Sequence, residues 1–448
     1  MRITSAAVKG LFGLFDHVIP LDHAERITII HGPNGIGKTV MLRMIEALAG
    51  GKPSFFRQTP FDEFRLTLDD GTMRIIRRTQ SDAGGVLLEF FIGNAQGTIT
   101  KVRDTISEDV PASILADIDK LIPSPFILND DSWLDTENEI VYSLSEMLEL
   151  FPGAWEALPL KYRIGSFFDA SQHLEVFFVE ANRLNAQQEG EVKPRLSVNL
   201  ARTSNARLQR PTIRYRVKQY SEDVGQRIQS VLASYAKHSQ ESDRTFPERL
   251  VRFLREKQTA LSEREILDRM VELEKKRLRL ISLGLLDSES GLHDLTEEDV
   301  RRAREALTIY VGDVQEKLKA FDDMAHRIGS LMDTVNDRFK YKKLTIDRGL
   351  GFRVVSDIGT NIDLENLSSG EQHELVVLYE LLFRTPSDGL ILVDEPEISL
   401  HVGWQSRFLS DLVGILELTK AYAIVATHSP VIIGTRWDLT VELNGPGA

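Results

Sequence analysis

There is no cysteine anywhere in the 448 residues. Disulfides, cysteine-based zinc sites and thiol catalysis are excluded together, and a reducing cytoplasm suits such a chain. No apolar run is long enough to span a bilayer. The first residues also lack the layout of a secretion signal. The expected localisation is cytoplasmic, with no membrane partner. Positive charge is in deficit: 54 Lys and Arg stand against 67 Asp and Glu, a net charge of -13. Any nucleic-acid contact must therefore be a local patch. What remains is an ordinary balance, 42% hydrophobic and 27% charged. That is enough for a sizeable core in two or three domains.

Against this background one stretch stands out, Gly32-Pro33-Asn34-Gly35-Ile36-Gly37-Lys38-Thr39. It fits the phosphate-loop pattern G-x-x-x-x-G-K-[ST] at every fixed position. Arg26–Ile30 before it is apolar and β-branched, and reads as a buried strand. Val40–Ala49 after it reads as a helix stopped by Gly50-Gly51. Strand, glycine-rich turn and helix N-terminus together make an anion site, because backbone N–H groups converge there. Gly32 to Val40 are the candidate nucleotide-binding residues. Lys38 can reach the β- and γ-phosphates, and Thr39 can ligate Mg²⁺.

The rest of the first half is mostly scaffold. Residues 1–31 read as strands leading into the loop. Phe12 and Phe15 are either core or a stacking surface for a base. Residues 55–102 read as a β-meander, and residues 103–170 shift towards helical spacing. Leu174–Val179 is another buried strand. Glu180 and Arg183 follow it, at the strand end where ligands bind in parallel sheets, and are further candidate site residues. Lys193 to Lys218 carries eight Lys and Arg with no acid between them. This is either a phosphate-contacting arm or a solvated linker with few aromatics to stack on bases. Residues 219–340 are helical, with Arg264–Ile281 and Val300–Phe339 expected as antiparallel helices forming a short coiled hairpin.

After short strands over 341–364 the second half of the chemistry appears. Leu367-Ser368-Ser369-Gly370-Glu371-Gln372 opens an apolar helix, where hydroxyls and free N–H groups can meet phosphate. Leu390–Val393 is a buried strand ending in Asp394 and Glu395. Asp394 can hold Mg²⁺ through water, and Glu395 can orient or deprotonate an attacking water. Ala421–Thr427 is one more buried strand, and it ends in His428, a candidate γ-phosphate sensor.

These four elements, in this order, resemble the ABC-type ATPase, over residues 1–190 and 341–448. The resemblance implies an α/β, two-lobed P-loop head with a helical insertion. Its domains would be 1–190 (lobe I), 191–340 (basic linker and insertion) and 341–448 (lobe II). It makes residues 32–39 the Walker A loop, Asp394 and Glu395 the Walker B pair, and His428 the switch histidine. Ser368, Ser369, Gly370 and Glu371 become the signature motif, capping ATP held by another subunit's Lys38. It implies ATP and Mg²⁺ as cofactors and at least a homodimer. Lys38, Glu395 and His428 would be the catalytic set.

Within that superfamily the run Asp394-Glu395-Pro396-Glu397-Ile398-Ser399-Leu400-His401 is similar to the OLD-type and SMC-like branch. His401 stands where transporter ATPases have Asp. Phe15-Asp16-His17, Leu-Ser-Ser-Gly-Glu-Gln-His and Asp243-Arg244-Thr245-Phe246-Pro247 resemble stand-alone ATPases of anti-phage defence, such as the PARIS ATPase subunit and the Septu ATPase. The chain lacks zinc-hook cysteines, and it stops too soon after His428 for a TOPRIM nuclease. The resemblance implies an ATP-hydrolysing, homo-oligomeric scaffold and sensor that controls a separate effector, a nuclease. DNA or a phage protein are further candidate partners. The alternatives are an SMC-like DNA-repair or DNA-binding ATPase, and a nucleotide-gated clamp that does not hydrolyse.

Overall fold

The computed structural model describes residues 2–21, 24–80, 86–102, 110–129, 132–136, 140–151, 154, 157–158, 167, 174–180, 213–287, 295–398 and 402–445. By internal contacts the chain divides into two compact units, Met1–Arg210 with Arg384–Ala448, and Pro211–Phe383. The sequence reading divides the chain at 190 and 340 instead. Residues 341–383 group with the helices because their strands and the helix after them pack on the long helix described below.

The first unit begins with β1 (Ile3–Leu11), β2 (Phe15–Pro20), β3 (Ile27–His31), α1 (Lys38–Ala49) and α2 (Pro53–Gln58). A meander follows: β4 (Glu63–Leu68), β5 (Met73–Gln80), β6 (Val86–Gly93) and β7 (Ile99–Val102). Its strands join the first hairpin in an antiparallel sheet of order β2-β1-β4-β5-β6-β7. The meander expected over 55–102 is present.

The expected helical stretch over 103–170 is different. It contains α3 (Ala112–Asp119) and α4 (Leu144–Leu150), but also β8 (Phe126–Asn129), β9 (Ser132–Asp135) and β10 (Ile140–Ser143) in a small sheet. Aromatic packing overrides the local spacing. Trp133 is fully buried and donates Nε1–H to Asp119 at 2.8 Å. Phe126 packs edge-on against both Tyr142 and Phe151. β11 (Val176–Glu180) then enters a third sheet.

The second unit starts with α5 (Ile213–Arg255), α6 (Glu263–Ser282), α7 (Glu297–Arg302), α8 (Arg304–Lys319) and α9 (Asp322–Arg338). The single helix expected from Val300 to Phe339 is thus three. The last break lets Phe321 turn inward, where it is fully buried against Tyr235 of α5. Burying one phenyl ring is worth about 1.5–3 kcal/mol, which offsets one or two backbone hydrogen bonds at about 0.5–1.5 kcal/mol each. β12 (Lys342–Asp347), β13 (Gly351–Ser356) and β14 (Asn361–Ile362) form a small antiparallel sheet, followed by α10 (Ser369–Tyr379).

The β12–β13 turn is clamped to α5. Ser221 donates to Leu350 O at 2.7 Å and accepts from Phe352 N at 2.7 Å. Gly351, between them, has φ 81°, and a Cβ there would overlap the Ser221 carbonyl. Gly351→Ala should therefore destabilise this unit by roughly 2 kcal/mol or more. Urea unfolding would show this as a lower midpoint.

The chain returns to the first unit with β15 (Leu390–Asp394), α11 (Val402–Thr419), β16 (Tyr422–Ala426), α12 (Pro430–Ile433) and β17 (Thr440–Glu442). A five-stranded parallel sheet of order β11-β15-β16-β3-β17 results. Such sheets are covered on both faces, so their strands read as continuous apolar runs. α1 buries Met41, Leu42, Met44, Ile45 and Leu48 completely, in one core with β1, β4 and the parallel strands. It is thereby fixed as the rigid base of the loop before it. Among the described residues no helix is long and apolar enough to cross a membrane.

Candidate functional site

Register alone brings the dispersed motifs to one level. Asp394 lies opposite Glu180 on one side and Ala426 on the other, and Ala426 lies opposite Ile30. The loop after β3, Glu395 after β15, and Thr427-His428 after β16 therefore leave the same carboxyl edge. That edge is where open α/β sheets bind ligands.

The loop is shaped as the sequence requires. Gly37 caps α1 with φ 96°, and a Cβ there would strike the Leu11 side chain. Lys38 is 5% exposed. Its Nζ donates to Gly32 O and Pro33 O, both at 2.9 Å, and lies 3.5 Å from His428 Nδ1. Burial pushes its pKa down, while Glu395, Asp394 and Glu397 pull it back up. Thr39 donates from Oγ1 to Asp394 Oδ1 at 3.1 Å. Glu395 takes a left-handed φ of 47°, donates its N–H to Ala426 O at 2.8 Å, and lies 3.8 Å from His428 Nε2. Lys38, Thr39, Asp394, Glu395 and His428 are thus one cluster.

This donor set fits magnesium–triphosphate. Thr39 and Asp394 supply two adjacent hard oxygens, and among the described residues no group of three or more His, Asp and Glu could hold a metal alone. Mg²⁺ is commonly bound in this way, by few protein oxygens with phosphate and water completing the shell.

Other expectations fare differently. Phe12 is 41% exposed, so it is not core, and its ring passes beside Gly37. The hairpin tip it belongs to lines a cavity of about 780 Å³ with Asp16, Asp62, Arg77 and Asn444. Phe15 is half-buried and stacks on His17 at 5.7 Å. Glu180 ends β11 at the level of Asp394; its side chain, and Arg183, His401 and the basic stretch 193–212, lie outside the described residues.

Two residues of the quoted runs contribute in ways the motifs did not assign. His17 is 3% exposed and donates Nε2–H to the Ile36 carbonyl at 2.7 Å. A carbonyl can only accept, which fixes the proton on that nitrogen. With that carbonyl held, the Gly37 N–H across the same planar peptide must point the opposite way. The legible signal was a histidine at an inward position of an alternating strand. Glu397 is the other; both its oxygens accept from the His428 segment.

In the second unit, Ser368 is the N-cap of α10. Its Oγ accepts from Glu371 N at 3.4 Å, and Glu371 Oε2 accepts from Ser368 N at 2.9 Å, closing a capping box. Lys342 donates to the same Glu371 oxygen at 2.9 Å. Burial would raise the Glu371 carboxyl, but the bonds from Lys342 and Ser368 outweigh it and hold it below its ordinary value. The N–H groups of Ser369 and Gly370, in the first turn, have no intrahelical acceptors.

Behind that turn, His373 and Glu374 are buried, and Arg338 pairs with Glu374. Burial pushes His373 down to about 4 from 6.5. Burial likewise pushes Glu374 up to about 7 from 4.5, against the pull of Arg338. Between these values the folded His373 binds fewer protons than the unfolded one, so its contribution to stability grows as pH rises. The folded Glu374 binds more, so its contribution is lost as pH rises through its folded pKa. Glu374→Gln should remove only the second effect. Its urea midpoint relative to the parent should therefore improve between about pH 5 and about pH 8.

A phosphate loop, a carboxylate-ended strand two places away in the sheet and a histidine just past the strand between them define an ABC-like P-loop ATPase domain. The family described as "AAA domain, putative AbiEii toxin, Type IV TA system" matches residues 201–434, just over half of the chain, and the chain belongs to it. The matched part holds the Leu367–Glu371, Asp394–Glu395 and His428 segments. A stretch of 70 residues is 39% identical to Protein ea59 of Escherichia phage lambda; it is 16% of this chain and only 13% of that protein. The SMC head domain of Pyrococcus furiosus, solved with an extended coiled coil and the C-terminal domain of ScpA, is 14% identical, with 96% and 91% of the two chains covered, at a TM-score of 0.33. The SMC head of Thermotoga maritima is 12% identical, with 97% and 91% covered, at 0.29. Scores that low carry no argument, and the fold assignment rests on the strand order and register above.

Proposed function

We propose that the chain hydrolyses ATP as a self-associating scaffold and sensor of anti-phage defence, controlling a separate toxic effector, a nuclease. The carrying observation is the single cluster of Lys38, Thr39, Asp394, Glu395 and His428 at one sheet edge. In this reading the amides of residues 32–39, with Val40 behind them, cradle the phosphates, and Lys38 meets the β- and γ-oxygens. Bound Mg²⁺, held by Thr39 and Asp394, would neutralise charge on those oxygens. Glu395 orients a water and accepts its proton as the water oxygen bonds to the γ-phosphorus and the bond to the β–γ bridging oxygen breaks. His428 donates to the γ-phosphate. Ser368, Ser369 and Gly370 of one protomer cap the nucleotide bound by its partner, with Glu371 bracing that turn.

Mixing tests the shared site. Lys38→Ala and Ser368→Arg proteins should each be inactive alone. Combined, they should recover roughly a quarter of the parental rate, because half the dimers are mixed and each mixed dimer holds one intact site. A mixture as dead as its components would exclude a shared site.

The family description favours a second reading, in which this chain is itself the toxic component. Expression of the chain alone in growing bacteria separates the two. Growth arrest that survives removal of every neighbouring gene would support the toxin reading.

A further inference from the structure

Glu397 lies in the 3-10 turn Pro396–Ile398, just past β15; its charge supports the Lys38 ammonium, but none of the ATP roles above is assigned to it. Its carboxylate instead crosses to the end of β16. Oε2 accepts from Thr427 Oγ1 at 2.8 Å, and Oε1 accepts from His428 N at 2.7 Å. Thr427 is completely buried, and its Oγ1 in turn accepts from Ser429 N at 3.0 Å. Ser429 Oγ contacts Gln405 Oε1 at 3.4 Å, and Gln405 Nε2 donates to the Glu397 carbonyl at 3.0 Å. The bonds close into a ring: Glu397, Thr427, Ser429, Gln405 and back to Glu397.

That ring encloses the backbone of the residue whose side chain lies between Lys38 and Glu395. A carboxylate can accept at both oxygens at once, and charge-assisted bonds of this length are about twice as strong as neutral ones. Two anchors on successive residues fix the Cα–Cβ direction of His428, where one anchor would leave it free to swing.

Resting on the ATPase reading above, we infer that Glu397 is a positioning residue for hydrolysis, with Gln405 as its brace, and that it acts through His428. A histidine misplaced by about an ångström forfeits on the order of a hundredfold in rate, while the phosphate loop that sets affinity is untouched.

The test is steady-state ATP turnover by the full chain, with nucleotide affinity measured in parallel. Glu397→Ala should lower kcat by roughly 10- to 100-fold with ATP affinity within about threefold. Glu397→Gln keeps one oxygen for His428 N–H and offers an amide to Thr427, so it should recover most of that loss. Thr427→Val, similar in shape, removes one anchor and should lower kcat; the buried bonds it loses should also lower the melting temperature. The decisive readout is the double mutant. In a His428→Ala background, Glu397→Ala should cost nothing further, since the group it positions is gone. Losses that simply multiply would overturn the inference, as would an unchanged kcat in Glu397→Ala. No turnover by the parental chain, or full turnover by His428→Ala, would overturn the reading beneath it.

Discussion

Lys38→Ala should lose ATP binding, with affinity weakened at least about 30-fold. The ammonium is the one cation held in the loop itself, and it is 5% exposed, so little water screens it. Removing one member of a desolvated charge pair typically costs 2–5 kcal/mol, which is roughly 30- to several thousand-fold. Burial pushes its pKa down, while three carboxylates support the charged form. The alanine variant also leaves the Gly32 and Pro33 carbonyls without their donor, so the loop loses shape as well as charge. Titration with a fluorescent ATP analogue at fixed Mg²⁺ measures this. Parental affinity in a folded Lys38→Ala protein would remove this loop from the site.

Glu395→Gln should do the opposite to binding while stopping the chemistry. The amide is isosteric and can still orient water, but it cannot accept the proton, and general-base removal costs about 10²–10⁴-fold in rate. Asp394, Glu395 and Glu397 all face the same ammonium, so deleting one negative charge leaves the site less repulsive to a triphosphate. Affinity should hold or tighten, and ATP should be trapped. Single-turnover assays separate this from a folding defect, because a trapped complex retains labelled ATP through gel filtration. Turnover at the parental rate would show that Glu395 is not the base, whatever the fate of Lys38.

Much of this site could be read before any coordinates, for a physical reason. Gly32 to Thr39, the Leu390–Asp394 strand and the Tyr422–Ala426 strand are each set by neighbours within a few residues. Chain stiffness and apolar runs encode them locally. Where a local pattern competed with distant packing, the pattern lost. Trp133 drew a stretch with helical spacing into a small sheet, and Phe321 broke a long helix to reach the core.

The sequence by itself determined which residues could bind phosphate and metal, because that chemistry belongs to side chains in a fixed local spacing. Only the tertiary structure decided which of them meet. The pairing of Asp394 with Ala426, and of Ala426 with Ile30, is a matter of strand register. Register depends on how two apolar faces settle against the helices covering them, and no short segment contains that information. The same holds for His17 on the loop carbonyl and Glu397 on the His428 backbone, since both contacts join elements well separated along the chain.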